Sequence, residues 1–219
     1  MIQFLRIYFN YVLFTLGTRE VLSRDLINKV IPIECHEPLV VLSSPDIFTR
    51  GEVLVRASVS DMLSVVAKSL NSNGVKLFVY DGYRNNERQR AGWNRVIGNL
   101  KKENPKMEDA EIEVAAQKQV ARPDGIGGGH QTGGAVDLTL CSLNGTPLFM
   151  GTEYSEHNKF TKTSAHIKSE EVRERRKILF RAMRDAGFGN YPNEWWHYSY
   201  GDRMWAAYLE KKVCLYDVL

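Results

Sequence analysis

The sequence predicts an α+β fold, with a small, mainly antiparallel sheet flanked by helices. Three observations carry this. Asn144-Gly145, a strong hairpin turn, follows directly on an alternating apolar run. Segments with helical apolar spacing lie outside any regular strand–helix–strand alternation. The composition, 43% hydrophobic and 25% charged over 219 residues, is that of an ordinary globular chain able to bury a sizeable core. Residues 25–219 are expected to form a single domain, with residues 1–24 as an apolar arm or helix.

The elements follow in order. Residues 1–16 are strongly apolar, but Arg6 and Asn10 interrupt them and the run is too short to span a bilayer. Gly17-Thr18-Arg19-Glu20 is a poor signal-cleavage site, so a packed or partner-facing helix is predicted before a targeting or membrane-associated segment. The expected location is cytoplasmic rather than periplasmic. Residues 39–42 read as a short buried strand ahead of the Ser43-Ser44-Pro45 turn. Met62, Leu63, Val65, Val66 and Leu70 predict a helix over 58–70, ended by 71–74. Residues 75–80 are a strand running into Asp81-Gly82-Tyr83-Arg84. Helices over 86–102 and 107–120 precede a loop over 121–129. The strand at 135–141 should pair with 146–150 across the hairpin turn. Residues 169–186 form the best-specified helix, with Glu170 and Glu171 in its first turn and Gly187 at the C-terminal cap. An aromatic strand over 194–199 and a helix over 202–212 close the chain.

Composition narrows the function. A formal net charge of +3, with basic residues scattered, gives no footprint for nucleic acid. Cys35, Cys141 and Cys214 are too few and too dispersed for a disulfide framework, and no CxxC pair is present. Two segments concentrate the chemistry: His130-Gln131-Thr132-Gly133-Gly134-Ala135-Val136-Asp137 and Glu194-Trp195-Trp196-His197. A catalytic zinc needs about three nitrogen or oxygen ligands and an open position for water. His130, Asp137 and His197 supply two imidazoles and a carboxylate, and Glu194 is the candidate base. Taken singly, each has a bland reading: a loop histidine, a strand-end aspartate, a core aromatic cluster. In an extended segment Glu194 and His197 would fall on opposite faces, so a local bend is required to aim both at one site. His157 and His166 read as surface residues of a polar loop, His36 has no companions that complete a site, and Cys141 reads as a small core residue. Tyr198 and Trp205 are either pocket wall or core.

The ordered set His130-x-x-Gly133-x-Ala135-x-Asp137 and Glu194-x-x-His197 resembles the zinc D,D-peptidases that include the VanX-type D-alanyl-D-alanine dipeptidases (peptidase M15). Asp81-Gly82-Tyr83-Arg84, Met150-Gly151-Thr152, Ala186-Gly187-Phe188 and Ser199-Tyr200-Gly201-Asp202 extend the likeness over roughly residues 30–210. The resemblance implies the zinc D,D-peptidase (Hedgehog/DD-peptidase-like) fold, one Zn2+ per chain on His130, Asp137 and His197, and Glu194 as general base. It also implies Arg84 facing the scissile carbonyl, and a small D-amino-acid dipeptide as substrate. Asn85 stands where the family often has proline, and Gly128 where it has serine. Tyr154-Ser155-Glu156 replaces a Phe-Asp pair whose aspartate holds the substrate ammonium. Ser155 cannot neutralise an ammonium; Glu156 is the nearest acid. Ser155, Glu156, Tyr83 and Trp196 are therefore the substrate-binding candidates. The expected activity is hydrolysis of D-Ala-D-Ala. The alternatives are a D,D- or L,D-carboxypeptidase or endopeptidase acting on longer muropeptides, and a non-catalytic zinc-holding module that binds cell-wall peptides.

Overall fold

The computed structural model describes residues 27–33 and 35–219, so the predicted apolar arm over 1–24 lies outside the described residues. Its strands are β1 (Ile31–Pro32), β2 (Leu39–Val41), β3 (Ile47–Thr49), β4 (Leu54–Arg56), β5 (Lys76–Asp81), β6 (Ala135–Cys141), β7 (Gly189–Asn190), β8 (His197–Ser199) and β9 (Val213–Cys214). The helices, numbered here over the described residues, are α1 (Ala57–Leu70), α2 (Asn86–Glu103), α3 (Asp109–Ala116), α4 (Gly129–Thr132), α5 (Glu170–Asp185) and α6 (Arg203–Tyr208). The central sheet has five strands in the order β3-β5-β6-β8-β7. Its β3–β5 junction is parallel and the others antiparallel, which makes it mixed but mainly antiparallel as the sequence predicts.

All of β6 is buried, so it is the axis of the sheet. Alternation assigns its faces. Val136, Leu138 and Leu140 join one core with Leu77 and Val79 of β5, Val59, Leu63 and Val66 of α1, and Leu179 and Met183 of α5. Asp137 and Thr139 point to the opposite face. The register then lines up Asp81, Asp137 and His197 in one row across β5, β6 and β8. The α5 helix starts where its cap directs, with Ser169 accepting from the Val172 amide, and ends before Gly187 at φ 99°. Tyr198 and Trp205 are core, 1% and 2% exposed.

Several elements depart from expectation. The chain does fold back at Gly145 (φ 87°), and Leu148 donates to the Leu140 carbonyl, but 146–150 is no strand. Pro147, opposite Cys141, has no N–H to continue a ladder. The 107–120 helix shrinks to α3, and 202–212 to α6. Residues 39–41 are only partly buried, because β2 pairs with β4 outside the central sheet and it is Leu42 that is buried. His130 lies on the short α4 rather than a loop. From 194 to 199 only 197–199 is strand.

Gly82 sits just after β5, where an added Cβ would collide with the Leu54 carbonyl oxygen and Val53, whereas Gly98 in α2 faces open space. Gly82→Ala should therefore destabilise the fold by about 1–3 kcal/mol through overpacking. Gly98→Ala should stabilise it by roughly 0.5–1 kcal/mol through helix propensity. Urea unfolding of both variants checks the opposite signs.

Candidate active site

The site is built around one carboxylate. Asp137, with its side chain 4% exposed, is the middle member of the cross-strand row. Asp81 stands opposite it, and two carboxylates in register repel. Arg84 resolves the conflict: its Nε donates to Asp81 Oδ2 at 2.7 Å and its Nη2 to Asp137 Oδ2 at 3.0 Å. Burial works against the guanidinium charge, but Asp137 and Asp81 outweigh it and hold its pKa above the ordinary value. Tyr154 Oη donates to the same Asp137 oxygen at 2.9 Å.

The other oxygen, Asp137 Oδ1, faces both histidines, with His130 Nε2 at 3.2 Å and His197 Nδ1 at 2.9 Å. His130 is fixed from the β5 end. Its Nδ1 donates to the Gly82 carbonyl at 2.7 Å, and its own carbonyl accepts from the Arg84 amide at 3.0 Å. Gly133, at φ 74°, turns the chain from α4 into β6, and Arg56 braces that turn by donating to the Thr132 carbonyl at 2.7 Å. The bend that the 194–197 spacing demands is present: Glu194 N donates to the Tyr191 carbonyl at 3.0 Å, and His197 N donates back to the Glu194 carbonyl at 3.4 Å. Both side chains line one cavity.

One ligand atom from each of His130, Asp137 and His197 lies within 4.8 Å of the others. Burial and the nearby Arg84 lower the His130 pKa, against the pull of Asp137. With Nδ1 committed to the Gly82 carbonyl, His130 is left with Nε2 facing Asp137 Oδ1, where both atoms can serve one cation. The donor set is nitrogen and oxygen with no sulfur, which fits a hydrolytic divalent metal, and the Gly82 carbonyl is the outer-shell acceptor such a histidine requires. Burial alone would raise the Asp137 pKa, but the two histidines draw it well below the usual carboxylate range. His197 goes the other way: burial opposes its charge, yet Asp137 and Glu194 raise its pKa.

Glu194 is 7% exposed. Burial lifts its carboxyl to about 8, against the pull of His197, Arg84 and a hydrogen bond from Trp196. The cavity, about 1510 Å3, is also lined by Tyr80, Tyr154, Ser155, His157 and Trp196. Of the substrate-binding candidates, Trp196 and Ser155 (φ 65°) line it and two others do not. Glu156 is exposed, with its carboxylate taken by the Glu153 amide and the Asn158 amide group. Tyr83 is absent from the cavity lining, and its backbone bonds Leu54 and Arg88. Sequence reasoning missed Tyr154, which stacks on Tyr80 at 4.2 Å, and it placed His157 on the surface. His157 is indeed exposed, but its ring also faces Trp196 and Glu194, at a ring separation of 5.7 Å and an Nδ1–Oε1 distance of 3.8 Å.

The chain matches the peptidase M15 profile, described as D-Ala-D-Ala dipeptidase, over residues 41–216, most of its length. It belongs to the peptidase M15 D-Ala-D-Ala dipeptidase family. A Synechocystis sp. protein named D-alanyl-D-alanine dipeptidase is 36% identical over 88 residues, covering 35% of this chain and 36% of the relative. An Escherichia coli protein of the same name is 26% identical over 142 residues, covering 63% of each. The matched segments thus span 36% and 63% of these relatives' lengths. Among solved structures, a vancomycin-resistance D,D-pentapeptidase VanY in complex with Zn(II) superimposes with a TM-score of 0.54 at 22% identity, covering 84% of this chain and 90% of that one. VanYB in complex with D-alanine-D-alanine gives 0.53 at 20% identity, covering 84% and 89%. These matches place the M15 chain in the zinc D,D-peptidase fold. Among the described residues no helix is long and apolar enough to cross a membrane.

A carboxyl with a raised folded-state pKa favours the folded state while protonated, and that advantage is lost as pH rises from the unfolded value of 4.5 through about 8. Glu194→Gln carries no such pH-dependent loss. In chelator-treated protein the stability of Glu194→Gln relative to wild type should rise steadily between pH 5 and pH 8, as measured by denaturant unfolding at each pH.

Proposed function

We propose that the protein is a zinc-dependent dipeptidase that hydrolyses D-alanyl-D-alanine, in peptidoglycan metabolism, with one Zn2+ per chain held by His130, Asp137 and His197. The observation that carries this reading is the convergence of two imidazole nitrogens on one oxygen of Asp137, beside Glu194 and Arg84 in the same cavity. When bound there, Zn2+ supplies a Lewis acid that polarises the peptide carbonyl and brings the pKa of water to about 7.

The chain's own groups do the rest. Glu194 takes a proton from the attacking water on its carboxylate and passes it to the departing amine. A buried carboxyl with a pKa near neutrality is suited to both halves of that task. Positive charge held by the three ligand residues would lower that pKa toward ionisation at neutral pH. Arg84, always charged and clamped by Asp81 and Asp137, has a fixed position from which to offer its remaining N–H groups to the carbonyl oxygen as negative charge develops. Tyr154 keeps its proton, because burial and the neighbouring Asp137 raise its pKa, and so it remains a donor to Asp137.

A second reading, cleavage of longer D-Ala-ended peptides, is favoured by the cavity volume of about 1510 Å3, which exceeds the roughly 300–1,000 Å3 typical of small-molecule pockets. Ser155 in the wall and Glu156 turned outward also leave the free ammonium of a dipeptide without a carboxylate from either residue. A purely binding module is disfavoured by the presence of both Glu194 and Arg84 in the cavity.

Purified protein should release D-alanine from D-Ala-D-Ala, lose that activity on chelation and regain it with zinc. Glu194→Ala should lower kcat by about 10²–10⁴ while zinc content stays at one per chain. Hydrolysis undiminished in that variant would sink the mechanism. Arg84→Lys should lower kcat by about 10²–10³, the scale for losing one oxyanion donor. Running D-Ala-D-Ala beside a D-Ala-ended pentapeptide separates the two readings by their kcat/KM ratio.

A further inference from the structure

His157 belongs to the loop between β6 and α5, and its neighbours in sequence are tied down on the outside. Glu156 accepts from the Glu153 amide at 3.0 Å and from Asn158 Nδ2 at 2.7 Å. Asn158 Oδ1 accepts from the Phe160 amide at 2.7 Å, and its carbonyl accepts from Thr161 Oγ1 at 2.6 Å. His157, between them, is an exposed residue whose side chain reaches the cavity. His157 packs its ring against Trp196 at 5.7 Å and 73°, lines the cavity, and is 23% exposed at its side chain. Trp196 is held on its other side by Tyr154, at 5.7 Å and 77°, so the three rings form one wall.

His157 Nδ1 lies 3.8 Å from Glu194 Oε1, just beyond hydrogen-bond length. Contacts of this kind in the free protein commonly tighten when substrate is bound. We infer that His157 donates its Nδ1–H to the Glu194 carboxylate in the working site and holds that carboxylate in one orientation for proton transfer. His157 is thus a positioning residue acting through Glu194, and its catalytic consequence rests on the reaction proposed above. Burial lowers the pKa of His157, which favours a neutral ring carrying a single N–H. His157 touches none of the three ligand residues in the described contacts, so removing it should spare metal binding.

The test uses the zinc-loaded 219-residue chain and has two arms. Nitrogen-15 NMR of the histidine rings should show His157 as the Nδ1–H tautomer in wild type, reverting to the commoner Nε2–H form in Glu194→Ala. In D-Ala-D-Ala hydrolysis, His157→Ala should lower kcat by about 10- to 100-fold, the scale of one hydrogen bond to a charged group, with KM, zinc content and Tm unchanged. His157→Asn, whose amide nitrogen falls near the Nδ1 position, should recover most of that loss, and His157→Gln should not. The inference is overturned if the tautomer is indifferent to Glu194→Ala, if His157→Ala keeps wild-type kcat, or if only KM rises. If wild type fails to cleave D-Ala-D-Ala while the tautomer switch holds, the proposed activity falls and the His157–Glu194 bond stands. If His157→Ala fails to fold, the NMR comparison of wild type with Glu194→Ala decides the inference.

Discussion

A carboxylate placed on the middle strand of a sheet and closed off from water must find partners, and the architecture around Asp137 answers that demand. Its two oxygens divide the work. Oδ2 takes Arg84 and Tyr154, which carry in the end of β5 and the loop beyond β6, while Oδ1 faces the imidazoles of α4 and β8. Four separate stretches of chain thus meet at one side chain, and moving any of them leaves a buried charge short of a partner. The site is consequently part of the fold's own electrostatic balance rather than an ornament on its surface.

The sheet supplies the coordinates for this arrangement. Period-two alternation sends Val136, Leu138 and Leu140 into the helix-covered core and leaves Asp137 on the opposite face, while the antiparallel register brings His197 and Asp81 level with it. Glu194 arrives by a different device, a turn in front of β8 closed by hydrogen bonds among Tyr191, Glu194 and His197. Strand register sets where the ligand candidates stand, and turn geometry sets where the base candidate stands.

Much of this was legible in the sequence because it is local. The β6 alternation, the Ser169 cap with Gly187 beyond α5, and the need for a bend between Glu194 and His197 are written in short spacings. Features that depend on distant segments were not. The parallel pairing of β3 with β5 leaves no mark on residues 47–49, and the loss of a partner strand at 146–150 turns on where Pro147 lands against β6. Glu156 looked like the acid of the substrate wall because charge is visible in a sequence, whereas the Glu153 and Asn158 donors that occupy it are not. His157 is exposed as its polar loop suggests, but composition does not reveal that its ring also faces Trp196 and Glu194.

The loop that carries Tyr154, Ser155 and His157 is fastened by Arg176 of α5, whose guanidinium donates to the carbonyls of Met150 at 2.6 Å, Phe160 at 2.8 Å and Lys162 at 3.0 Å while lying over the Trp195 ring. This clasp grips main chain and is blind to what the loop displays. Mutations can therefore rewrite the residues between the anchor points while the wall stays moored at the same height above Asp137 and the two histidines. Selection is free to diversify what this stretch displays without renegotiating the scaffold.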